Sequence, residues 1–140
     1  MRAYRPLLLL LLLGACKSAV APAATSLRIQ THGSEFVRSP SEGSVSVPFT
    51  IANHGTGSVF VERCGDRIMA AVDRHEEGEW VRGYDACLGI YLMTRAEILP
   101  GQVLEGTRAI LQPGEYRLRV AVDGGEEAAW SGASNRFTVR

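Results

Sequence analysis

The stretch LQPGEYRLRVAV, residues 111–122, limits what this chain can become more than any other. A turn at Pro113-Gly114 leads into strict alternation. Tyr116, Leu118, Val120 and Val122 take one side, and Arg117, Arg119 and Ala121 the other. Side chains of an extended chain point to alternate faces, so this period predicts a strand with its apolar face on a core and its arginine face in water. Leu111, two residues before the proline, is expected to close the apolar layer over the turn.

The remaining segments read the same way. Residues 27–31 alternate Leu27, Ile29 and Thr31 against Arg28 and Gln30, with Phe36 and Val37 continuing that strand after Gly33. Residues 44–53 place Val45, Val47, Phe49 and Ile51 on one face. Pro48 has no N–H for a ladder, which predicts an edge position or a bulge there. The Asn53-His54-Gly55-Thr56-Gly57 turn returns the chain through residues 58–64. Residues 67–73 fit a strand or a single helical turn, residues 79–82 a short strand around Trp80, and residues 103–111 a strand weakened by Gly106. Residues 89–94 and 97–99 offer two further short pieces. Residues 39–43 and 123–127 are turns by composition, and Phe137 with Val139 closes the chain. With about seven to nine short strands between Gly, Pro and Ser clusters, and no helix of three turns, the expected fold is all-β, an antiparallel β-sandwich.

The first residues carry a different message. Arg2 and Arg5 precede seven consecutive leucines at 7–13, then Gly14-Ala15 and Cys16. A positive start, a short apolar run and small residues predict a secretory signal peptide over residues 1–15, since a stable span needs about 20 apolar residues. Leu13-Gly14-Ala15-Cys16 resembles the lipobox of bacterial lipoproteins. That resemblance implies acylation of Cys16 with diacylglycerol and palmitate, which would tie the chain to the bacterial cell membrane or outer membrane and leave its domain facing the periplasm or exterior. Acyl chains hold a soluble domain at a bilayer through about 0.8 kcal/mol per buried methylene. Residues 16–26 then form a flexible tether of small residues, and residues 27–140 a single domain, large enough for its own core.

Without the leader, fifteen acidic residues stand against thirteen basic ones, so the electrostatics favour no nucleic-acid partner. Cys64 and Cys87 reach an oxidising compartment and are expected to pair, closing a loop of roughly 24 residues worth on the order of 3 kcal/mol. Trp80 is expected to pack beside that bridge.

Leu111-Gln112-Pro113-Gly114-Glu115-Tyr116 resembles the turn before a late strand in immunoglobulin-like and fibronectin-type domains. There the tyrosine hydroxyl bonds to backbone a few residues upstream, so the resemblance implies a structural role for Pro113, Gly114 and Tyr116. Over residues 44–139 the chain is similar to immunoglobulin-like domains of small bacterial lipoproteins, and more loosely to the BsuPI type of intracellular proteinase inhibitor domain. The features shared are the strand ending at Asn53, the Ile98-Leu99-Pro100-Gly101 approach to a strand and the Pro-Gly-x-Tyr turn. These are features of fold, and no inhibitory residue maps onto this chain.

Chemistry is sparse. His32, His54 and His75 match no metal-ligand spacing, even with Cys64 and Asp66 beside His54, and no metal or other cofactor is expected. No nucleophile elbow or phosphate loop occurs. Glu76-Glu77 and Glu126-Glu127 read as solvated turns. Without a reaction, the expected role is a non-catalytic binding or structural module, held to the membrane by its lipid and meeting a protein or glycan of the envelope through Trp130, Tyr84 and Tyr91. The alternative is a proteinase inhibitor-like domain acting through an exposed loop at residues 73–85.

Overall fold

A computed structural model describes residues 26–39, 41–122 and 129–140, with only the backbone of Ala129. The expected leader, Cys16, the expected tether before Ser26, Pro40 and the turn expected at 123–127 lie outside the described residues, as does residue 128. Extended chain dominates. The strands are β1 (Leu27–Thr31), β2 (Glu35–Phe36), β3 (Val45–Asn53), β4 (Val59–Cys64), β5 (Arg67–Ile68), β6 (Ala70–Glu76), β7 (Glu79–Val81), β8 (Met93–Ile98), β9 (Val103–Ile110), β10 (Gly114–Val122), β11 (Ala129–Trp130) and β12 (Phe137–Val139). Among the described residues, three of these twelve, β2, β5 and β11, are two-residue pairings, which leaves nine strands of three residues or more.

They form an antiparallel β-sandwich of two sheets. One sheet runs β1-β3-β9, and the other is built around β10, which pairs with β4, β6, β11 and β12. All of these pairings are antiparallel; β2 against β12 is parallel. The inner faces meet in one core where Val47, Phe49 and Ile51 oppose Val61, Ile98, Leu118, Val120 and Phe137. Each of these comes from an alternating position in its strand, which is why the period of two located the core.

Tertiary packing overrode several local readings. The chain does not continue β1 at Phe36. It bends at Gly33 and crosses to the other sheet, where Phe36 meets Phe137 edge-on at 5.7 Å. Pro48 lies in β3, the middle strand of its sheet rather than an edge. Its ring nitrogen points toward β1 just where β1 ends, and its carbonyl accepts from the His32 N–H at 3.1 Å, so the missing donor breaks no ladder. Gly106 does not weaken β9. It stands opposite Phe49, and a Cβ there would lie 2.6 Å from the Phe49 ring, so the glycine makes room for a core aromatic. Leu111 is exposed and closes nothing; its carbonyl accepts from Arg38 at 2.7 Å.

Candidate functional site

The arginine face of β10 is not in water. Arg119 is buried, Arg117 is half-buried, and both are aimed at Asp73 of β6, whose side chain is fully buried. Arg119 donates through Nε and Nη2 at 2.9 and 2.8 Å, and Arg117 through Nε at 3.0 Å. Burial works against the charge of Asp73, but the hydrogen bonds from Arg119 and Arg117 and the Arg119 charge outweigh it, holding the carboxyl below its ordinary range. Trp80 lies under Arg117 at 4.5 Å and Trp130 under Arg119 at 5.1 Å, so each guanidinium is held between a carboxylate and a ring.

Beyond β7 the chain runs over this face as a loop, residues 82–92, fastened at three points. Gly83 donates its N–H to Asp73 at 3.3 Å and accepts from Arg119 at 3.3 Å. The approach is so close that a Cβ on Gly83 would sit 2.0 Å from the Val72 carbonyl oxygen. Asp85, almost fully buried, accepts from Arg67, from Arg108 at 3.2 Å and from the Ala70 N–H at 2.8 Å. Cys87 closes the disulfide to Cys64 at the end of β4.

What the fastened loop then presents is apolar. Residues 88–92 make a turn, closed by Tyr91 N–H to Leu88 O at 2.9 Å and tied to the β4–β5 hairpin by Gly65 N–H to Leu92 O at 3.0 Å. At its tip Leu88, Ile90, Tyr91 and Leu92 are 65%, 83%, 54% and 76% exposed. Beside it a cleft of about 600 Å³ is lined by Arg67, Arg108, Asp85, Leu88 and Tyr91 among others. The carboxylates of Asp73 and Asp85 are each taken by two arginines, so neither is positioned as a proton carrier. The surface offers contact area.

The aromatic residues expected at the site separate. Tyr84 and Tyr91 belong to the loop and are exposed. Trp130 is half-buried against Met69, Ala121 and the disulfide cysteines, taking the place expected for Trp80. Trp80 instead stacks with Arg117, Arg136 and His75, because β7 pairs with β6 on the far side from the bridge. Within residues 73–85, where the alternative placed an inhibitory loop, the hairpin tip at 76–79 is exposed, and nothing marks it as inhibitory. Most of these residues form the β6–β7 hairpin, and Asp73 and Asp85 are drawn into the fold by arginines. Tyr116 donates its hydroxyl to the Gln112 carbonyl at 2.9 Å beside Pro113 and Gly114. Among the described residues no three His, Cys, Asp or Glu side chains are grouped to hold a metal ion. Sequence reading missed Asp85, Arg67 and Arg108; Asp85 and Arg67 stand close to Cys87 and Cys64 in sequence, and Arg108 carries no such mark.

No protein-family model and no curated protein matches the chain. Among solved structures it is similar to a β-glucosidase from Listeria innocua, with 14% identity and a TM-score of 0.40, over 81% of this chain and 16% of that one. A β-glucosidase from Erythrobacter marinus aligns at 13% identity and TM-score 0.37, over 83% and 16%. The chain thus spans about a sixth of these enzymes. A PapD-like domain of human CEP192 aligns at 16% identity and TM-score 0.35, over 98% and 94%.

Proposed function

We propose that this chain is a lipid-anchored, non-catalytic binding module of the bacterial cell envelope, held by Cys16 and meeting a protein partner through the tip at residues 88–92. One observation carries the reading: four large apolar side chains exposed on a loop whose base is fixed by a disulfide and two buried carboxylates. A loop ordered in advance loses little entropy on association, and apolar area with one tyrosine suits a protein surface better than a polar glycan.

The reading is tested in cells. A photo-crosslinking residue at Ile90 is expected to give one discrete adduct with another envelope protein, lost on Leu92→Asp while the domain stays folded. Cys16→Ala is expected to move the protein from the membrane fraction to the soluble one. A chain that yields no adduct at Ile90, or stays on membranes without Cys16, refutes it.

A further inference from the structure

Among the described residues the second sheet ends in a strand paired on one side: β8 pairs with β4 and with no other strand. Such an edge presents backbone donors and acceptors to any incoming strand, and its side chains decide which strand is accepted. Register with β4 sets those side chains out: Glu97 stands across from Phe60, Arg95 from Glu62 and Met93 from Cys64. The alternate residues Ala96 and Ile98 stand across from Val61 and Val59 and turn to the core. The outward row of β8, continued one residue past its end, therefore reads Met93, Arg95, Glu97, Leu99.

We propose that β8 is where two copies of this chain associate, as antiparallel neighbours about a two-fold axis at Ala96. Read backwards, Arg-Ala-Glu becomes its own charge complement, so one axis sets Arg95 of each copy against Glu97 of the other. The same axis sets Met93 against Leu99, two large side chains left 48% and 44% exposed at opposite ends of the strand. Opposed residues in such a ladder lie about 4.5–5.5 Å apart, close enough for both kinds of pair to touch. Arg95 is already engaged within its own chain, and its several N–H donors allow the added carboxylate.

The charges also reject the neighbouring registers. A slip of one residue would face the outward row with the core row. A slip of two sets Arg95 against Arg95 in one direction and Glu97 against Glu97 in the other. An isologous contact must be self-complementary, and this is the register that is.

The test uses the protein purified from cells expressing the full chain, with mass in solution read by sedimentation and folding checked by circular dichroism. The wild type is expected to be a dimer. Arg95→Glu alone and Glu97→Arg alone are each expected to be folded monomers, because each puts like charges in register twice. Their equal mixture is expected to form a dimer, since one variant then offers two negative charges in its outward row and the other two positive ones. A monomeric wild type, single variants that dimerise undiminished, or a folded mixture that stays monomeric would each overturn the proposal.

Discussion

At the scale of single residues, stability rests on a few buried polar groups, with Asp73 between its two arginines first among them. Asp73→Asn removes the negative charge between Arg117 and Arg119, leaving two guanidinium groups against a neutral amide. Breaking one side of such a buried pair is expected to lower unfolding free energy by about 3 kcal/mol in denaturant titration. The same carboxyl gives a pH signature. Its folded pKa is lowered, so its contribution is complete above the ordinary carboxylate range and is lost as pH falls through the folded value. Acid unfolding of the wild type should therefore be steeper than that of Asp73→Asn below roughly pH 4. Tyr116→Phe removes only the hydroxyl, with its bonds to the Gln112 and Pro113 carbonyls, and is expected to cost about 1 kcal/mol. Tyr116 was recognisable from its place after Pro113-Gly114; Asp73 was not, since nothing near it in sequence tells of arginines 44 and 46 positions on.

Between single residues and the domain, the loop at 82–92 and the strand pairs respond separately. Asp85→Asn weakens both arginine contacts while the disulfide and Gly83 remain, so amide exchange should quicken at residues 82–86 and little elsewhere. Gly106→Val is expected to act on the other sheet. It drives a side chain into the Phe49 ring and should destabilise by about 1–3 kcal/mol, with exchange rising in β3 and β9. β9 was legible in the sequence as a strand, but its glycine was misread as weakness because the ring that fills the space stands on β3.

For the molecule as a whole, the disulfide joins the end of β4 to the loop across a separation of 23 residues. Reduction should lower stability by roughly 3 kcal/mol in the chain-entropy picture while leaving the β-rich circular dichroism intact, because the core between the sheets contains neither cysteine. The alternating pattern alone determined the fold class, most strands and the core residues, and a count of cysteines left Cys64 and Cys87 to each other. Alternation is a local property of extended chain, and burial of one face follows from it. Where β2 goes, why Pro48 is tolerated in a middle strand, which tryptophan meets the bridge and why β10 has no wet face were decided by tertiary structure. Each depends on a group brought close from far along the chain, and a charge or ring of that kind leaves no periodic mark on the sequence around its partner.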